Sequence, residues 1–239
     1  MAIFAISDLH LACSVDKPMD VFGEAWSNYM QRIKSNWETT VQSEDYVIIP
    51  GDVSWAMYLE QMMDDFRFIE ALPGKKIISK GNHDYWWNTL SKMNKFLQGH
   101  GFNTIRFMHN NSFNIEGFAL CGCRGWKYPG DADFSEEDKK IYERELHRLE
   151  FSLNSIPKEK SDRGIIVAMH YPPFGPGGEK TEFIEVMLKH GVAKCLYGHL
   201  HGKGFKNAVE GKVEGIEFRL VSADYLNFNP MRIFPGDTP

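Results

Sequence analysis

Five short polar clusters along the chain hold residue types that bind metal ions. They are Asp8-Leu9-His10, Gly51-Asp52, Gly81-Asn82-His83-Asp84, a lone His170, and Gly198-His199-Leu200-His201-Gly202. Each follows a short apolar run that reads as a strand, and ligands in α/β sheets bind at the carboxyl ends of strands. Asp8, His10, Asp52, Asn82, His170, His199 and His201 offer seven oxygen and nitrogen donors, more than one ion needs. A mixed set of carboxylate, amide and imidazole points to transition metals and away from calcium. The expected cofactor is therefore a pair of divalent ions, Mn, Fe or Zn. Two ions sharing a bridging carboxylate clamp the attacking and leaving oxygens of an in-line phosphoryl displacement, and they lower the pKa of bound water towards neutrality.

The elements that must position these donors follow from periodicity. Residues 2–7, 45–50 and 76–79 read as buried strands. Phe22, Trp26, Tyr29, Ile33 and Trp37 recur at helical spacing and predict a helix from about Met19 to Thr39. Leu59, Met62, Phe66 and Ile69 mark a second helix closed by Pro73-Gly74, and Leu90, Met93 and Leu97 a third. Such alternation implies a mainly parallel sheet with right-handed crossovers. Beyond it, residues 104–108 and 118–121 predict a hairpin across the turn-rich stretch containing Glu116-Gly117. A long helix is expected from Ser135 to Ser155, with Ser135 and Asp138 forming a capping box. Residues 164–169 and 193–197 read as strands, separated by a helix from Thr181 that stops at His190-Gly191. The final apolar positions, Val209 to Leu220, read as antiparallel strands, and the tail from Pro235 is expected to fray. No repeat or polar linker divides the 239 residues, so one domain over 1–239 is expected.

Composition bounds the class. Hydrophobic residues make up 43% of the chain, enough for a sizeable core. No apolar run has membrane-spanning length, and the first strand lacks the basic flank of a signal peptide, so a cytoplasmic protein is expected. The 27 basic and 32 acidic residues give a net charge of −5 with His neutral, which disfavours general nucleic-acid binding. Cys13, Cys121, Cys123 and Cys195 match no zinc-site spacing and read as reduced thiols. His100, His109, His147 and His190 lie outside the clusters and are given no role.

Taken together and in this order, Asp-Leu-His, Gly-Asp, Gly-Asn-His-Asp, a lone His and Gly-His-Leu-His resemble the calcineurin-like metallophosphoesterases. The resemblance implies a four-layer αββα sandwich of two mixed sheets flanked by helices. It implies one metal on Asp8, His10 and His201, another on Asn82, His170 and His199, and Asp52 bridging them. His83 matches the family's non-ligand catalytic histidine, which assists the leaving oxygen. Asp84 would orient its imidazole or, alternatively, cap the following helix. One departure is present: many members read Gly-Asp-x-x-Asp, whereas this chain has Gly51-Asp52-Val53-Ser54-Trp55. The replaced carboxylate is not a ligand position.

The function so implied is hydrolysis of a phosphoester, a diester slightly ahead of a monoester, by metal-bound hydroxide without a phosphoenzyme. The expected partner is a phosphorylated small molecule or phosphodiester. Arg124 could hold a second phosphate, and Tyr85 and Trp126 could stack a base or sugar. Three rivals stand beside this reading: a catalytically silent scaffold on the same fold, a nuclease, and a structural zinc protein.

Overall fold

Successive side chains of a strand face opposite sides, and the first strand already separates the layers. In β1 (Ile3–Ala5), Ile3 and Ala5 enter a core between two sheets, while Phe4 enters a core beneath helices. A computed structural model of the protein describes residues 1–17, 19–157 and 162–235. The first sheet has the order β11-β1-β2-β3-β4, with β2 (Tyr46–Pro50), β3 (Lys75–Ser79), β4 (Ile105–Phe107) and β11 (Met231–Phe234). Its members run parallel except β11, which is antiparallel to β1.

The second sheet has the order β5-β6-β7-β8-β10-β9. These strands are β5 (Phe113–Ile115), β6 (Phe118–Cys123), β7 (Gly164–Met169), β8 (Val192–Tyr197), β9 (Gly211–Val213) and β10 (Ile216–Leu220). Strands β6, β7, β8 and β10 are parallel, and β5 and β9 cap the edges antiparallel. Helices α1 (Tyr29–Thr40), α2 (Met63–Ala71) and α3 (Leu90–Gly99) bring buried residues to a core with the first sheet. Helices α4 (Glu136–Asn154) and α5 (Glu182–Lys189) do the same for the second. Between the sheets, Ile48 and Ile77 meet Leu120, Ile166 and Leu196. The result is the αββα sandwich. Among the described residues no helix is long and apolar enough to cross a membrane.

Three expectations are corrected. The stretch from Met19 to Trp26 forms 3-10 turns and not the start of α1. Gly23 at φ 127° and Asn28 at φ 52° break the right-handed path, which turns Trp26 toward His10 and His201. The predicted hairpin partner of β6 is β5, reached through left-handed Glu116-Gly117, while β4 joins the other sheet. Of the late strands, β9 and β10 pair antiparallel as expected, but β10 also lies parallel to β8, and β11 crosses to β1. The Ser135–Asp138 capping box is present, and the cysteines are free. Of the Pro235 tail, residues 236–239 lie outside the described residues.

Trp37 has no exposed surface and donates its indole N–H to the Pro73 carbonyl at 2.9 Å, tying α1 to the turn after α2. Trp37→Ala should cost about 3–5 kcal/mol. Urea unfolding should show a lower midpoint at unchanged slope.

Candidate metal centre

The seven donors arrive from five strand ends in two sheets. Asp8 and His10 follow β1, Asp52 follows β2 and Asn82 follows β3. His170 follows β7, and His199 and His201 follow β8. Backbone bonds pinch the sheets together here: Ser7 donates to the Val221 carbonyl at 2.7 Å, and Ala223 donates to that of Ser7 at 2.9 Å. Asp8, His10, Asp52 and His199 all adopt positive φ, between 45° and 71°. Non-glycine residues held there are strained, and such strain clusters where a site over-determines the backbone. Gly81 packs its backbone against Asp52, where a Cβ would collide with the carboxylate.

Two groups of donors result. In the first, His201 Nε2 lies 3.4 Å from Asp8 Oδ1, and His10 Nε2 lies 3.8 Å from Asp52 Oδ2. In the second, Asn82 Oδ1 is 2.7 Å from His170 Nε2 and 2.9 Å from His199 Nδ1, and the two ring nitrogens are 3.3 Å apart. Asp52 Oδ2 is 3.5 Å from His170 Nε2, so one oxygen faces both groups. Asp8, His10 and His201 form one set fit for a metal ion, and Asp8, Asp52 and His170 another.

The protonation pattern favours a cation. His170 Nδ1 faces the Pro50 carbonyl at 3.1 Å and so carries the proton. Burial holds the ring neutral, with its pKa well below the ordinary histidine value. Nε2 then offers a lone pair to Asn82 Oδ1, which is also an acceptor. The two atoms are 2.7 Å apart, close enough for one cation beside them to be shared by both. Burial drives the His10 pKa down to about 3 and that of His199 to about 4. Asp52 is pushed up to about 9 by burial and by the charges of Asp84 and Asp8. Asp8 is also penalised by burial, yet the His201 hydrogen bond and nearby imidazoles pull it below the carboxylate range. A bound dication reverses this logic, keeping carboxylates ionised and imidazoles neutral.

The family model of the calcineurin-like phosphoesterases matches residues 1–203. The chain belongs to that family. Among solved structures, the chain is similar to phosphopantetheinyl hydrolase (PptH) from Mycobacterium tuberculosis. The identity is 12% and the TM-score 0.60, covering 100% of this chain and 98% of that one. It is also similar to a protein of unknown function, AQ665, from Aquifex aeolicus: 18% identity, TM-score 0.48, covering 97% and 95%. At these identities the likeness to PptH is one of fold. No curated protein matches the sequence.

The other expected site residues separate. His83 is half-buried, with its ring 5.7 Å from His10 and 4.6 Å from Trp55; burial lowers its pKa. Asp84 does not orient it. Both Asp84 oxygens accept from the backbone: Gly81 at 2.8 Å, Asp52 and Val53 at 2.9 Å, with the Trp86 indole at 3.0 Å. Nor does Asp84 cap a helix, since Thr89 accepts from Lys92 at the start of α3. Arg124 is drawn off to the buried Glu145, 3.4 Å away, and lies 4.2 Å over the Trp126 ring. Its contribution here is a carbonyl that accepts from the His170 and Tyr171 amides. Trp126 donates to Asp138 and stands 5.3 Å from Tyr171, which itself packs 4.1 Å from the His199 ring. Tyr85 is 55% exposed, 6.2 Å from His83.

Asp224, after β10, was not foreseen. Its Oδ1 is 2.8 Å from His201 Nδ1, and its side chain is 5% exposed. The arrangement fixes the proton on Nδ1 and leaves Nε2 for a ligand bond. Burial opposes the charge, but the hydrogen bonds to Asp224 and Asp8 raise the His201 pKa to about 10. Trp55 stands where the family's extra carboxylate would, and stacks on His10 at 4.8 Å and 21°.

Two predictions follow from these contacts. Asp224→Asn should weaken metal binding by ~10–100-fold, read by calorimetry. In the metal-free protein, binding must displace the His201 proton held below about 10 and the Asp52 proton held below about 9. Affinity should therefore rise with pH, with proton release seen in buffers of different ionisation enthalpy.

Proposed function

We propose that this phosphoesterase is a dinuclear metal-dependent phosphohydrolase. Asp8, His10 and His201 would hold one transition-metal ion, Asn82, His170 and His199 the other, and Asp52 would bridge them. The observation that carries the reading is the single Asp52 oxygen facing both donor groups. Its other oxygen accepts from the His83 amide at 2.8 Å, which fixes the direction of the carboxylate. When bound, such ions acidify water and offset charge on phosphoryl oxygens.

The chain's own residues supply the rest. Asp224 holds His201 in one tautomer, and the Pro50 carbonyl does the same for His170. The His83 ring makes no hydrogen bond to the donor atoms, and among the described residues its buried Nδ1 has no partner. It borders a cleft of about 400 Å³ beside His10 and His201. There it would give a proton to the leaving oxygen and recover one from solvent. An ester oxygen leaving as alkoxide needs that proton more than a nitrophenolate does, because it is far more basic. A phosphodiester is slightly preferred, since Arg124, the cation expected to hold a further phosphate charge, is committed to Glu145. The reading takes residues 1–239 as one catalytic domain in the cytoplasm, where four free cysteines are at home.

Metal-stripped protein resupplied with Mn²⁺ should hydrolyse bis-p-nitrophenyl phosphate faster than p-nitrophenyl phosphate. His83→Ala should lower kcat on alkyl diesters by ~10²-fold or more, less on nitrophenyl esters, with metal content unchanged. Asp52→Asn should lose both turnover and metal. Full activity in Asp52→Asn, or loss of metal in His83→Ala, would overturn these roles.

A further inference from the structure

The metal centre opens onto two clefts of unequal size and character. The wider, about 400 Å³, has His10, His83 and His201 at its inner end and Met19, Trp26, Trp55 and Phe205 as walls. The narrower, about 150 Å³, meets the centre at His199 and is bounded by Tyr171, Tyr128, Asn207 and the Gly175-Pro176 turn. His83 borders only the wider cleft of the two. The oxygen that His83 protonates must therefore carry its carbon body into that wider space.

The walls there are fixed. Trp26 is 4% exposed and packs edge-on against Tyr29 and Phe228, 5.4 and 5.2 Å away. Trp55 stacks on the His10 ring, has the Lys17 ammonium 4.5 Å from the centre of its ring, and gives its indole N–H to the Met19 sulfur at 3.1 Å. Asp224, the acid in this cleft, is bound to His201, and Lys203 is exposed. Preformed apolar walls gain from burying apolar surface and offer little to a small polar alcohol.

We propose that the wider cleft is the leaving-group subsite, and that it selects phosphoesters whose departing alcohol has a bulky, planar apolar body. The narrower cleft takes the arm that stays on phosphorus, which is short. This inference rests on the phosphohydrolase reading. In the step, a water oxygen bonds to phosphorus while the bond from phosphorus to the large alcohol's oxygen breaks. That oxygen takes the His83 proton, and the proton lost by water returns to solvent. The products are a short-chain phosphomonoester and the apolar alcohol.

Methyl 2-naphthylmethyl phosphate tests the assignment within one molecule, because its two alcohols are of similar acidity. Incubated with the Mn²⁺-loaded protein, it should release 2-naphthylmethanol over methanol by ~10-fold or more. Ala25 is an exposed residue lining the wider cleft, and Ala25→Phe narrows it without touching a donor. That variant should bring the partition towards equality and weaken binding of 2-naphthylmethylphosphonate, read by tryptophan fluorescence, by ~10-fold. Its metal content after Mn²⁺ loading should equal that of the parent protein, which shows that the centre is intact. Equal release, methanol in excess, or a partition unmoved by Ala25→Phe would overturn the inference alone. So would turnover of the nitrophenyl esters without turnover of this diester. No hydrolysis of any of these esters would overturn the phosphohydrolase reading and the inference with it.

Discussion

The Asp84 carboxylate holds two loops to one another. It is fully buried, and it accepts from the backbone of Gly81 on one side and of Asp52 and Val53 on the other. These are the loops that leave β3 and β2, so the bonds fix where Asn82 and Asp52 arrive. Asp52 then returns the constraint by accepting from the His83 amide. Burial and the neighbouring Asp52 make an ionised Asp84 costly, and burial moves its pKa upward against the pull of those hydrogen bonds. A carboxylate kept at such cost and far from any open space acts on geometry.

The same economy explains the backbone. Four candidate donor positions sit at positive φ, each on a loop that turns within five residues of its strand to aim a side chain back over the sheet end. The strain persists because the sheets are joined at this edge, through Ser7 and Val221, and because Ser7 Oγ also donates to Asp8. His199 adds its amide to the same Asp8 carboxylate at 3.0 Å, so a residue from each sheet anchors the other. These bonds hold the two halves of the donor set in register, with Asn82 Oδ1 and His170 Nε2 converging from opposite sheets.

The gathering of the candidate donors was legible because each belongs to a short motif closely following an apolar strand, and a strand end is a local property. Features that depend on distant packing were not. Asp224 follows β10 without a motif around it, and only the approach of His201 across 23 residues gives it meaning. Asp84 was read from its neighbour His83, yet its partners lie on another loop. Arg124 looked like an anion site, but helix α4 brings Glu145 beneath it. Strand β4 showed the right period for the hairpin, and periodicity carries no information on which sheet a strand joins.

Trp55 ties the centre to its surroundings. In place of a carboxylate, the chain puts an indole whose face lies on His10 and whose N–H is taken by Met19. His10 is thereby gripped between Trp55 and Trp26, at 4.8 and 5.8 Å, which restricts its ring although its buried Nδ1 has no hydrogen-bond partner. Most ligating histidines are oriented by a hydrogen bond to the second nitrogen; among the candidate donors here, packing orients His10, as hydrogen bonds orient His170 and His201. The aromatic wall that orients a ligand is also the wall of the wider cleft. A change at Trp55 would then press on His10 directly, so the residue that departs from Gly-Asp-x-x-Asp reaches both a candidate donor and the cleft wall.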